Sequence, residues 1–132
     1  MEALEMQIGG GHYKDMPMQP IEFLQAAGLP FTLSNCVKYL ARWKSKNGVE
    51  DLRKVVHYLA LHEEVPPARR LGAVERSRLR KLTMKFLLAN NRHFSPMDAA
   101  AITGTVAIVT HGERVGQVRD FVQIMIQREA AK

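Results

Sequence analysis

PFTLSNCVKYLARWKSKNGVEDLRKVVHYLALHEE, residues 30–64, is the stretch whose reading decides the fold. Leu33, Cys36, Val37, Leu40 and Trp43 recur at three- and four-residue spacing, which places them along one side of a helix. Asn47-Gly48 then offers two residues that tolerate the left-handed conformation of a helix stop. From about Val49 to Glu64, Leu52, Val55, Val56 and Leu59 make a second apolar stripe. Glu50 and Asp51 fall in its first turn, where negative charge complements the helix dipole. Two striped helices joined by a short turn pack as an antiparallel hairpin.

Working outward, Pro20 stands at a favoured first helical position, and Ile21, Phe23 and Leu24 predict a short helix ended by Gly28. Residues 1–20, with their glycine run and Pro17 and Pro20, read as a loop. On the other side Pro66-Pro67 breaks the chain. The expected division is a hairpin domain over 1–66 and a basic helical extension over 67–132 packed on it. Val74–Ala89 predicts a basic helix with Leu79, Leu82, Phe86 and either Leu87 or Leu88 inward, ended by Asn90-Asn91. Ser95-Pro96 followed by Asp98 is a strong helix start, and Ala99, Ile102, Val106 and Val109 continue it. Residues 105–109, TVAIV, also suit a short strand by composition. After His111-Gly112, a last helix over about Glu113–Arg128 carries Val115, Val118, Phe121, Val122 and Met125 on one side. The expected fold class is all-α, with five or six short helices packed around the antiparallel hairpin.

A chain of 132 residues that is 46% hydrophobic can bury a core without disulfides or metals and is not a disordered polypeptide. The opening MEALEMQIGGG has no basic start followed by an apolar run, so no secretory signal is expected. No apolar run approaches bilayer length, so no membrane partner is expected. The single cysteine, Cys36, fits a reducing cytoplasm. Charge is uneven: residues 1–66 carry seven Lys/Arg and eight Asp/Glu, net −1, whereas residues 67–132 carry twelve and five, net +7. Between residues 69 and 92 only Glu75 opposes the cations. That segment, with Arg76, Arg80 and Lys81 at its centre, would attract nucleic acid, nucleotides or an acidic protein face; its plainer reading is a solvated helix face.

Gly9-Gly10-Gly11-His12-Tyr13-Lys14 brings flexible backbone and a cation together, as phosphate loops do, but lacks the Gly-Lys-Ser/Thr ending of a P-loop. Asn35, Lys38 and Arg42 form a polar stripe beside the apolar one, with Lys46 a turn further. They are either a solvated face or three cations able to hold phosphates with Asn35 as a hydrogen-bond partner. Asp51, Lys54 and Tyr58 share another stripe, as do Glu50, Arg53 and His57. Pairs at that spacing ordinarily stabilise a helix, and a carboxylate there is also able to accept a proton. No two histidines, and no histidine with Cys36, have metal-ligand spacing.

Five blocks in order then carry a resemblance: Gly10-Gly11-His12-Tyr13-Lys14; Gln19-Pro20-Ile21-Glu22-Phe23; Asn35-Cys36-Val37-Lys38-Tyr39-Leu40-x-Arg42; Lys46-Asn47-Gly48-x-Glu50-Asp51-Leu52-x-Lys54; and His57-Tyr58-Leu59. Over about residues 9–64 the chain resembles a small phage nucleotide-kinase family, formerly a domain of unknown function. The resemblance implies phosphoryl transfer from a nucleoside triphosphate to a deoxynucleoside monophosphate, or nucleotide binding, in the cytoplasm of a host cell, by a homo-oligomer. Mapped residue by residue, it implies Lys38, Arg42 and Asp51 as catalytic candidates. His12, Tyr13, Lys14, Gln19, Asn35, Lys46, Glu50, Lys54 and Tyr58 become substrate-binding candidates. The four cations Lys14, Lys38, Arg42 and Lys46 would neutralise phosphates, Asp51 or Glu50 would orient the acceptor or a metal, and Tyr13 or Tyr58 would stack on a base. The cofactor stays open, with Mg²⁺ as the candidate. Ser34 stands where the family has glycine, and residues 67–132 match nothing in it. The alternative is a non-enzymatic phage effector, such as a host-defence inhibitor, binding a host protein or nucleic acid through residues 69–92.

Overall fold

The computed structural model describes residues 2–6 and 13–132. Seven α-helices and one 3₁₀ turn make up its regular structure, with no strand among the described residues. The order is α1 (Glu2–Glu5), α2 (Pro20–Ala27), α3 (Phe31–Arg42), a 3₁₀ turn (Trp43–Ser45), α4 (Val49–Glu64), α5 (Ala73–Ala89), α6 (Pro96–Thr110) and α7 (Val115–Ala130). The all-α expectation holds, and the α3–α4 hairpin is its centre. α4 packs between α3 and α7, α6 covers α3 and α7, and α5 lies on α2 and α6.

Each boundary has a local cause. Gly28 at φ 66° ends α2, and Gly48 at φ 58° turns the chain into α4. Both are conformations that a side chain resists. Ser95 caps α6: its Oγ accepts from the Asp98 N–H at 3.1 Å, and Asp98 Oδ2 accepts from the Ser95 N–H at 3.0 Å. Residues 105–109 are helical, which removes the strand alternative. Thr105 Oγ1 and Thr110 Oγ1 donate to the carbonyls of Ala101 and Val106, four residues back, as threonines in buried helices do.

The core draws on both halves of the chain. Leu33, Cys36, Val37 and Leu40 of α3 and Leu52, Val55 and Leu59 of α4 join Ile102, Val106, Val118 and Val122 in one buried cluster. Phe23 stacks on Phe86 at 4.6 Å between ring centres, and Phe94 leans on Phe86 at 5.4 Å. On α5, Leu79 and Phe86 are buried and Leu82 and Leu87 partly so, while Leu88 is exposed. Asn90, fully buried, donates to the Met18 carbonyl at 2.7 Å and accepts from the Met18 N–H at 3.3 Å, tying the end of α5 to the segment before α2.

Two further ties cross the molecule. Asp98 is fully buried and takes the Trp43 indole N–H at 2.9 Å and the Lys44 ammonium at 2.6 Å, so the start of α6 is fastened to the hairpin turn. Arg78 donates to the Ala26 carbonyl at 3.2 Å and Arg80 to the Thr110 carbonyl at 3.4 Å, near the C-terminal ends of α2 and α6. Part of the α5 charge therefore complements the unsatisfied carbonyls and dipoles of neighbouring helices.

Candidate functional site

Antiparallel packing of α3 on α4 sets two polar stripes face to face. Asp51, in the first turn of α4, is fully buried. Its Oδ2 lies 3.3 Å from Arg42 Nε, and its Oδ1 lies 3.6 Å from Lys54 Nζ and 3.3 Å from Asn47 Nδ2. Burying a carboxylate is tolerated only when it is paired, and here two cations and an amide pair it. The pairing holds Arg42 and Lys54 in place on opposite helices.

Tyr39 is the hub of this face. Its ring centre is 4.8 Å from Lys38 Nζ, 4.8 Å from the Arg42 guanidinium carbon and 5.1 Å from Lys54 Nζ. Three cations thus gather on one aromatic ring, and among the described residues Asp51 is the only carboxylate ion-paired with any of them. Lys38 makes no ion pair among the described residues. Tyr58 stacks on Tyr39 at 6.1 Å, and the exposed Phe31 meets Tyr58 edge-on at 6.2 Å. An aromatic strip therefore runs from Phe31 into the cationic cluster. Tyr13 completes the group from the N-terminal side. Burial raises its hydroxyl pKa above the ordinary tyrosine value, while the Arg42 guanidinium beside it pulls the other way.

The structure brings together Tyr13, Lys38, Arg42, Asp51, Lys54 and Tyr58 from the sequence candidates. Others lie apart. Asn35 donates to the Phe31 carbonyl of its own helix at 2.9 Å. Lys14, Lys46 and Glu50 are exposed and make no ion pair or hydrogen bond through their side chains among the described residues. Gln19 donates to the Leu4 carbonyl and precedes α2, where Glu22 accepts from its N–H at 3.3 Å. His12 lies outside the described residues. Among the α5 candidates, Arg76 donates to the Leu71 carbonyl at 2.8 Å, Arg80 to Thr110 as above, and Lys81 is exposed. Tyr39, Asn47 and Phe31 are not among the site candidates that the sequence offers. Tyr39 lies on the same helical face as Asn35 and Arg42, at i+4 and i−3, so the spacing held the signal; an aromatic residue beside an apolar helical stripe reads first as packing.

A Mg²⁺ seat does not fit these residues. Both oxygens of Asp51 are already taken by cations or the Asn47 amide, and no group of three His, Cys, Asp or Glu among the described residues is able to hold a metal. No helix among them is long and apolar enough to cross a membrane.

The site belongs to an all-helical protein whose cationic face is built on one helical hairpin. Residues 9–60 match the model of a family described as a protein of unknown function, DUF3310. The match ends within α4 and contains Tyr13 and every α3 and α4 residue of the cluster. No curated protein and no solved structure matches the chain.

Proposed function

We propose that the α3–α4 face binds a nucleoside phosphate and that the protein acts as a nucleotide kinase-like enzyme, transferring a phosphoryl group to a deoxynucleoside monophosphate. The gathering of Lys38, Arg42 and Lys54 around Tyr39 is the observation that carries this reading. Phosphoryl transfer needs positioned positive charge more than covalent help from the protein. Asp51 fixes Arg42 and Lys54 in advance of any ligand, so less order has to be imposed at the moment of reaction. Lys38, with no anionic partner among the described residues, would meet the phosphate directly. The exposed Phe31 ring, set edge-on against Tyr58, offers an aromatic surface to the base. Any Mg²⁺ would arrive on the oxygens of the nucleotide. The five-block resemblance to phage nucleotide kinases supports the same chemistry.

The test is turnover. Purified protein is mixed with each deoxynucleoside monophosphate and a panel of triphosphates, with and without Mg²⁺, and the products are resolved by ion exchange. Diphosphate formation is expected, falling about a hundredfold or more in Lys38→Ala with the helical spectrum unchanged. Full turnover in that variant would remove Lys38 from the chemistry. No turnover with any pair, in folded protein, would remove the kinase reading.

A second reading has its own observation. Val74, Met84 and Leu88 are exposed along α5, and Lys81 and Lys85 lie exposed among them. A basic face with apolar insertions suits an acidic partner protein or nucleic acid. Arg76 and Arg80 bond internal carbonyls, so Lys81→Glu with Lys85→Glu is the clean perturbation. The double variant is expected to abolish salt-sensitive binding; unchanged binding would clear α5 of the role.

A further inference from the structure

A groove of about 940 Å³ lies away from the Tyr39 cluster. It opens between the α2–α3 turn, the segment from Pro66 to Leu71, and the end of α6 with the turn that follows. Arg69, Arg70 and Arg76 line it together with the rings of His62 and His111. Glu113 is the one carboxylate in the lining. Leu29, Ile108 and Val109 supply an apolar wall.

The polar groups are held in distinct ways. His62 Nδ1 is 2.7 Å from Thr32 Oγ1, and His111 Nδ1 is 2.9 Å from Thr110 Oγ1. Each ring is thus fixed through one nitrogen, leaving Nε2 as the other. Arg76 is anchored by one N–H to the Leu71 carbonyl at 2.8 Å, which leaves the rest of its guanidinium fork. Arg69 is paired with Glu75 at 2.8 Å. Arg70 has no hydrogen bond or ion pair among the described residues.

We propose that this groove is a second ligand site, which binds a small organic phosphate: its phosphate on Arg70 and the open side of Arg76, its carbon body along Leu29, Ile108 and Val109. Three features of the groove lead there. Its volume falls within the roughly 300–1,000 Å³ typical of small-molecule sites, larger than a lone inorganic anion needs. Arginine forks match phosphate oxygens two at a time, which a lysine patch does not. The arginines come from residues 69–76, whereas Leu29, Ile108 and Val109 come from the α2–α3 turn and α6, so different elements offer charge and apolar surface to a ligand with a charged head and an uncharged body. The site is assembled from the α2–α3 turn, inside the family-matching segment, and from residues 62–113 beyond it, and shares no lining residue with the Tyr39 cluster.

Amide and arginine side-chain NMR shifts are followed during titration with inorganic pyrophosphate, with ADP and with adenosine. Saturable shifts at Leu29, Arg70 and Gly112 are expected with ADP, weaker affinity with pyrophosphate, and none with adenosine. Arg70→Glu is expected to weaken ADP at these positions by about tenfold or more, the loss of one charge-assisted contact. Arg70→Ala is the milder companion, and Lys38→Ala is expected to leave the groove shifts in place. Shifts confined to α3 and α4, no saturable shift at all, or equal affinity before and after Arg70→Glu would overturn the site. Equal affinity for pyrophosphate and ADP would overturn the apolar part of the assignment.

Discussion

Asp51 shows how much a single side chain organises here. Its carboxylate is fully buried, yet its two partners differ: the Arg42 side chain is 14% exposed and that of Lys54 is 37% exposed. Coulombic attraction is screened least where water is excluded, so the Arg42 pair should outweigh the Lys54 pair. Asp51→Asn keeps the volume and removes the charge, leaving Arg42 confined without a counter-ion. It is expected to lower stability by about 2 kcal/mol in urea denaturation. Lys54→Ala is expected to cost under about 1 kcal/mol. A larger loss for Lys54→Ala would show that the pairing is ordered the other way. The sequence made Asp51, Lys54 and Tyr58 visible as one stripe, because 3.6-residue periodicity is a local property. It did not show that Arg42 comes from the facing helix to meet Asp51, nor that Tyr39 lies between the cations, because those contacts follow from how two helices are docked.

At the scale of elements, hydropathy periodicity found the hairpin, since α3 and α4 each have one buried side and one wet side. It served α6 less well. That helix touches α3, α5 and α7, so apolar residues surround it, and TVAIV inside it fits strand composition as readily as a buried helix. The Ser95 cap was the better guide, being a hydrogen-bonding requirement of the chain end itself. The open end of the hairpin is pinned by His62, in the last turn of α4, against Thr32, in the first turn of α3, at 2.7 Å. Burial holds the His62 pKa below its ordinary value, with Glu63 acting weakly in the opposite direction. The unfolded chain therefore takes up this proton first. The stability His62 contributes is whole above about pH 6.5 and is lost as pH falls through its lowered folded value. Thermal melts are expected to show a midpoint that falls as pH drops below about 6.5. His62→Gln, which retains a hydrogen-bonding side chain without a titrating proton, should flatten that interval. A slope unchanged in the variant would assign the acid sensitivity to another group.

Across the whole molecule, the halves separated by Pro66-Pro67 differ in charge, −1 against +7, yet share one buried cluster. A buried polar fastening between them is Asp98, reached by Trp43 and Lys44 from more than fifty residues earlier. Nothing in the sequence announces it: Asp98 reads as a first-turn acid and Trp43 as packing, and both descriptions are locally correct. The long-range partner is set by the placement of α6 over the 3₁₀ turn, which no local pattern encodes. Removing the carboxylate has three consequences at once. The Ser95 N–H loses its acceptor, the buried indole N–H is left unsatisfied, and Lys44 loses its counter-ion. A lost cap costs about 1 kcal/mol and an orphaned buried donor about 1–3 kcal/mol. The Lys44 side chain is 46% exposed, so its share is small. Asp98→Ala is therefore expected to destabilise the protein by about 3 kcal/mol, and Lys44→Ala by under about 1 kcal/mol. Hydrogen exchange locates the effect: the Trp43 indole and the first amides of α6 should exchange faster in Asp98→Ala, while the α4 amides change only with global stability. If the two variants lose stability equally, the fastening is an ion pair rather than a buried hydrogen-bond network, and the joint between the halves depends on salt.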